Sequence, residues 1–231
     1  MIQSKDISKK YGHTEVLAID SLDIPKGQSF GLVGNNGAGK TTYFNILLDL
    51  IKPTTGSITN NNIVVNKSEE WKTFTGSFID ETFLIGYLTP EEYFDFAGTL
   101  RRMNKADVQS FLDRFEEFFK GEVLGKKKYL RDLSKGNQKK AGVIAALMGN
   151  PQVIILDEPF ANLDPTSQIK LKKILKRVTE NKEITLLISS HDLSHITEVC
   201  ERIVVLNKGT VVKDIQTSEK TLKELESYFS T

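Results

Sequence analysis

Nine consecutive residues, Gly34-Asn35-Asn36-Gly37-Ala38-Gly39-Lys40-Thr41-Thr42, carry the densest chemical signal in the sequence. They have the phosphate-loop spacing of glycine, four residues, then Gly-Lys-Ser/Thr, and they follow an apolar run directly. Three glycines let the backbone curl so that successive amide N–H groups converge on phosphate oxygens. A helix expected over 41–50 would turn its positive end toward the same anion. Lys40 is placed to reach β- and γ-phosphates, and the Thr41 hydroxyl to ligate a Mg²⁺ that bridges them. A glycine-rich strand-to-helix turn that binds nothing is the plain alternative, and the complete spacing in this setting argues against it. The pattern implies a nucleoside triphosphate without saying which machine uses it.

A second group lies far along the chain. Val153-Ile154-Ile155-Leu156-Asp157-Glu158-Pro159 reads as a buried strand ending in two acids, at the carboxyl end where open α/β sheets bind ligands. Alone, such a pair is often a solvated turn. With a phosphate loop upstream, Asp157 is expected to hold Mg²⁺ and Glu158 to orient and deprotonate an attacking water. His191 follows another apolar run, Thr185-Leu186-Leu187-Ile188-Ser189-Ser190, which would deliver it to that edge within reach of a γ-phosphate. A lone histidine is more often structural than catalytic, and its place at a strand end brings the two readings level on local sequence alone.

The elements that position these groups follow from hydrophobic periodicity. Apolar runs at 28–33, 152–156, 183–188 and 202–206 alternate with helix-patterned stretches, which predicts an α/β fold with a largely parallel sheet. Shorter alternating runs at 2–8, 15–24 and 57–65, broken by turn residues, predict a small antiparallel layer near the N-terminus. Ten of the twenty aromatic residues fall in 83–129, where Val108, Phe111, Leu112 and Phe115 keep helical spacing. This predicts an inserted helical subdomain whose aromatic stripe is mostly core, with the remainder free to dock a partner. The expected organisation is a single domain over 1–231, with 1–81 and 151–231 as core and 82–150 as the insertion. A terminal helix over 218–229 carries no chemistry.

Composition bounds the rest. Lys and Arg total 31 against 30 Asp and Glu, so no global field points to nucleic acid or an anionic membrane. Cys200 is the single cysteine, which excludes an internal disulfide and suits a reducing compartment. The first twelve residues lack the apolar stretch of a secretory signal, and no run approaches the roughly 20 apolar residues of a membrane span. The sequence therefore predicts a cytoplasmic chain.

Leu133-Ser134-Lys135-Gly136-Asn137 opens a further predicted helix. Together with the motifs above, and in the same order along nearly the whole chain, it resembles the signature of ATP-binding-cassette (ABC) ATPases, Leu-Ser-Gly-Gly-Gln. Lys135 replaces the first glycine and Asn137 the glutamine, while Ser134 and Gly136 remain. Without the family, Ser134 reads as a helix N-cap. The resemblance implies a RecA-like phosphate-loop NTPase core, with Tyr11 stacking on adenine and Ala161-Asn162-Leu163-Asp164 as the loop between paired subunits. It casts His191 as the switch histidine. Asp80 aligns with the family's loop glutamine, where a carboxylate is expected to meet Mg²⁺ or the attacking water.

The resemblance further implies an ATPase on the cytoplasmic face of a membrane, with a separate permease and a second ATP-binding subunit, identical or homologous. Ser134 and Gly136 would cover ATP held by the other subunit. The helical subdomain, hinged near Asp80 and Glu81, would dock the permease through residues of 83–100, Tyr87 and Phe94 among them. Leu-Ser-Lys-Gly in a short single cassette resembles exporters more than nutrient importers. A soluble ABC ATPase acting on nucleic acid or ribosomes is the rival reading. Only 94 positions separate Lys40 from Ser134, without sustained heptads, which disfavours the coiled-coil DNA-repair relatives, and translation-factor relatives carry two cassettes. No nucleic acid is expected as partner. A GTP switch would show Asn-Lys-x-Asp, and Asn66-Lys67-Ser68-Glu69 lacks the aspartate.

Overall fold

Strands that are mostly apolar on both faces belong in the middle of a parallel sheet, where burial on both sides leaves polar side chains to the strand ends. The computed structural model describes residues 1–230. Its elements run β1 (Ile2–Tyr11), β2 (Thr14–Ile24), β3 (Ser29–Val33), α1 (Lys40–Leu47), β4 (Thr55–Asn60), β5 (Ile63–Val64), β6 (Thr75–Phe78), α2 (Pro90–Leu100), α3 (Lys105–Asp113) and α4 (Glu116–Phe119). They continue as α5 (Lys135–Ala146), β7 (Val153–Asp157), α6 (Pro165–Thr179), β8 (Thr185–Ser190), α7 (Leu193–Val199), β9 (Arg202–Asn207), β10 (Thr210–Gln216) and α8 (Thr221–Phe229).

Every residue of β3, β7 and β8 is buried, and these strands sit inside a six-stranded sheet of order β10-β9-β3-β8-β7-β6. Its pairings are parallel except for β10, which closes one edge antiparallel to β9. A separate antiparallel sheet of order β2-β1-β4-β5 forms the N-terminal layer. Alternation along the central strands splits the core. Phe30, Leu32, Ile155, Leu187 and Val204 pack with Tyr43 and Phe44 of α1 and with Ile2 and Leu17 of the antiparallel layer. Ile154, Leu156, Leu186, Ile188 and Ile203 pack with residues of α5, α6 and α7 on the opposite side.

Register places the chemistry. Val33 pairs with Ser190 and Asp157 with Ser189, so the loops leaving β3, β7 and β8 emerge together at one edge. The run expected over 57–65, broken by turn residues, is the hairpin β4–β5, where Asn61 and Asn62 turn in the left-handed region that asparagine tolerates. The first helix stops at Leu47 rather than at 50.

The helical insertion begins at two reciprocal caps. Thr89 and Glu92 cap α2 with Pro90 in the first turn, and Asn104 and Asp107 cap α3, each such cap being worth about 1 kcal/mol. Phe94, Phe111, Phe115, Phe118 and Phe119 belong to the same continuous core as α5 and the central sheet. Phe94 corrects the sequence-based expectation of a docking residue. It is fully buried, with its ring 5.8 Å from Phe119, because it lies on the inward stripe of α2. Tyr87 precedes that helix and is 72% exposed, with the Arg131 guanidinium 4.2 Å over its ring.

Candidate functional site

The loop between β3 and α1 has the shape its glycines foretell. Gly37 and Gly39 hold φ of 81° and 106°, a region side chains resist, and Gly39 stands at the N-cap of α1 with no side-chain cap. The first amides of α1 therefore keep their hydrogen-bonding capacity for an anion. The turn after β9 anchors the loop, since the Gly209 N–H donates to the Ala38 carbonyl at 2.9 Å. Asn35, Asn36 and Gly37 face solvent, Ala38 and Gly39 are buried, and Thr42 is half-buried behind Thr41. Lys40 is only 6% exposed; its Nζ donates to the carbonyl oxygens of Gly34 at 2.7 Å and Asn35 at 3.4 Å.

The two acids that end β7 meet this loop from across the sheet edge. The Thr41 hydroxyl donates to Asp157 Oδ2 at 2.6 Å, and the Ser189 hydroxyl donates to Asp157 Oδ1. Burial pushes the Asp157 carboxyl above the usual range, and the hydrogen bonds from Ser189 and Thr41 oppose that rise. Thr41 and Asp157 thus present a hydroxyl and a carboxylate side by side, a hard-oxygen pair suited to Mg²⁺, which takes its remaining ligands from phosphate and water. Among the described residues, no group of three or more His, Cys, Asp or Glu forms a metal cage of protein alone.

Glu158 is the crossing point. Its Oε1 lies 3.6 Å from Lys40 Nζ and its Oε2 lies 2.9 Å from His191 Nδ1. Its backbone is left-handed, with φ of 47°, which swings the side chain out of the strand toward the loop. The three groups picked out separately in the sequence, Lys40, Glu158 and His191, are in contact. His191 is 56% exposed and can reorient; its partner here is the carboxylate.

The remaining expected residues lie further out. Tyr11 ends β1 with 56% of its surface exposed and the Lys9 ammonium 4.9 Å from its ring centre, an accessible aromatic face. Ser134 caps α5, accepting from the Asn137 N–H at 3.3 Å. Gly136 lies where a Cβ would meet the Asn162 carbonyl oxygen at 2.6 Å, so this glycine lets α5 rest on the 161–164 loop. Asp164 in turn caps α6 through Ser167. Asp80 bonds locally, its Oδ1 accepting from the Thr82 N–H at 2.6 Å and from the Thr82 hydroxyl. These hydrogen bonds hold it in its own turn, whereas Thr41 and Asp157 bond to each other.

Sequence reasoning missed three contributors. Ser189 binds Asp157 and also fixes the Glu158 N–H, through its hydroxyl at 3.1 Å and its carbonyl at 3.2 Å. Ser190 donates to Glu158 Oε2 at 3.4 Å. Lys139 donates to the Glu158 carbonyl oxygen at 2.9 Å. Two serines ending an apolar strand just before His191 were a legible signal. A lysine in mid-helix was not, since its burial depends on what packs over it.

Residues 17–161 match the model of a family described as ABC transporter. A bacitracin transport ATP-binding protein of Enterococcus faecalis is 33% identical over 95% of this chain and 70% of its own length. A tyrosine transport ATP-binding protein of Clostridioides difficile is 30% identical over 99% of this chain and 98% of its own. Among solved structures, the dimeric post-hydrolysis state of an ATP-binding cassette bound to ADP and Pi superposes with a TM-score of 0.82 at 25% identity, covering 94% of this chain and 99% of that one. Among the described residues, no helix is long and apolar enough to cross a membrane.

Proposed function

Because the chain belongs to the ABC transporter ATP-binding family, we propose that the cluster around Lys40 and Glu158 is its hydrolytic centre. The protein binds ATP, hydrolyses it, and couples that reaction to transport through a membrane permease. Lys40 and the loop amides would hold the phosphates, and Tyr11 the adenine. Thr41 and Asp157 would hold Mg²⁺, which screens phosphate charge when bound. Glu158 would take a proton from the attacking water, and His191 would carry a hydrogen bond between Glu158 and the γ-phosphate. The observation that carries this reading is the position of the Glu158 carboxylate, between Lys40 Nζ and His191 Nδ1 and next to the Thr41–Asp157 pair.

The site would be completed by a second cassette, identical or homologous, whose Ser134 and Gly136 approach the γ-phosphate with the positive end of α5. We take 82–150 as the subdomain that moves against 1–81 and 151–231. An open cleft of about 950 Å³ between them, lined by Leu50, Phe83, Leu84 and Leu100 with Arg101 and Arg102 beside them, supports docking of a permease segment there. That would hold the chain on the cytoplasmic face of the membrane. The Leu133-Ser134-Lys135-Gly136 form of the signature supports export as the direction.

Glu158→Gln tests the centre. It should bind MgATP with parental affinity and accumulate as a closed dimer, while kcat falls by about 10²–10⁴, the range for loss of a general base. Lys40→Ala should instead weaken triphosphate binding itself in an equilibrium titration. Near-normal turnover by Glu158→Gln removes Glu158 from the base role.

A further inference from the structure

The general base assigned above sits on a left-handed backbone, with φ of 47°, and both its backbone N–H and its backbone carbonyl are gripped. Ser189 holds the Glu158 N–H, at 3.2 Å through its carbonyl and 3.1 Å through its hydroxyl. The carbonyl of Glu158 accepts a hydrogen bond from Lys139 Nζ at 2.9 Å. Lys139 belongs to α5, one turn beyond the signature residues Ser134 and Gly136, and it is only 4% exposed. An ammonium buried this deeply needs a counter-charge. Glu81 supplies it: Oε1 lies 3.3 Å from Lys139 Nζ, with the two side chains 12% and 5% exposed. Glu81 Oε1 makes no hydrogen bond, so the nearby ammonium is what balances it. The Phe78 ring, 5.7 Å away, closes the pocket on the apolar side.

We infer that Lys139, anchored by Glu81, is a positioning residue for Glu158. It fixes the peptide that aims the carboxylate and never touches ATP. The inference rests on the reading of Glu158 as general base and deepens it, because the arrangement joins three moving parts. Lys139 rides on the signature helix, Glu81 lies in the hinge segment, and Glu158 does the chemistry. Phe83 and Leu84, two and three residues past Glu81, line the cleft offered to the permease. A shift of that segment would alter the grip on Glu158 without changing any contact to nucleotide.

The test uses the full chain and four variants. Lys139→Met with Glu81→Gln removes both charges together, so no ion is left buried alone; Glu81→Gln by itself loosens the anchor at its more exposed end. Both should bind ATP within twofold of the parent and lose at least tenfold in kcat; the pair should keep its Tm to within a few degrees, whereas Glu81→Gln alone, which leaves the Lys139 ammonium without its counter-charge, should lower Tm further than the pair does. The single change should account for most of the loss seen in the pair, because both act through one contact. Lys139→Arg, which keeps the charge and a donor, should recover kcat to within about threefold of the parent. Parental kcat in Glu81→Gln or in the pair overturns the inference, as does a kcat loss matched by an equal loss of ATP affinity. Glu158→Gln run alongside separates the two levels. If that variant still turns over normally, the base assignment itself fails; if it is inactive while the Lys139 and Glu81 variants are normal, only the positioning role fails.

Discussion

Gly136→Ala separates two explanations of the signature glycine. In one, glycine is needed so that the loop can approach a phosphate held by the partner cassette. In the other, it is needed within one chain, where a Cβ at this position would lie 2.6 Å from the Asn162 carbonyl oxygen and 3.9 Å from Leu163 Cδ2. Comfortable carbon–oxygen contacts of this kind fall at about 3.3–3.6 Å, so α5 and the 161–164 loop would have to part by about 0.7–1.0 Å. The neighbour is backbone, and it is braced by Asp164 capping α6 and by Lys120 on Asp164 Oδ1 at 3.0 Å. Rotamer changes cannot relieve the clash. Overpacking of this sort costs about 1–3 kcal/mol, and each kcal/mol lowers Tm by about 2–4 °C in a chain of this size. Differential scanning calorimetry of the dilute monomer without nucleotide should therefore show a drop of about 2–12 °C. A parental Tm combined with failed ATP-dependent dimerisation would refute the intrachain explanation and leave the phosphate-approach one standing.

Asp157→Asn should stabilise the fold while abolishing hydrolysis. Burial raises the Asp157 carboxyl, so the folded chain binds that proton more tightly than the unfolded one, and stability falls as pH rises through the raised value. The variant's Tm should exceed the parent's near neutrality, with the gap narrowing toward about pH 4; a gap independent of pH contradicts this. Phe94→Ala should cost about 3–5 kcal/mol as a cavity in the core, read by urea unfolding. Tyr87→Ala should stay within about 0.5 kcal/mol yet uncouple transport from hydrolysis in reconstituted vesicles; normal coupling would take Tyr87 off the docking surface. Tyr11→Ala should lose about 1–3 kcal/mol of stacking, roughly 5- to 160-fold in nucleotide Kd, and unchanged affinity for ATP would remove Tyr11 from the adenine site.

Sequence alone determined the parts whose geometry is set within a few residues. The glycine spacing from Gly34 to Lys40 dictates a curled loop wherever it occurs, and β7 and β8 are read correctly because their apolar runs admit only buried strands. The order of the motifs was enough to identify the family. Tertiary structure decided everything that depends on which side of an element is covered. Phe94 and Tyr87 look alike in sequence and differ completely in exposure. Lys139 reads as an ordinary solvated lysine until α5 is laid against β7, and the second role of Gly136 exists only because the 161–164 loop crosses its helix. The physical reason is the same in each case. Backbone curvature and hydrophobic period are local and are written in neighbouring residues, whereas burial, and with it the pairing of Lys139 with Glu81 and of Thr41 with Asp157, arises from contacts between segments that only the packed core brings together.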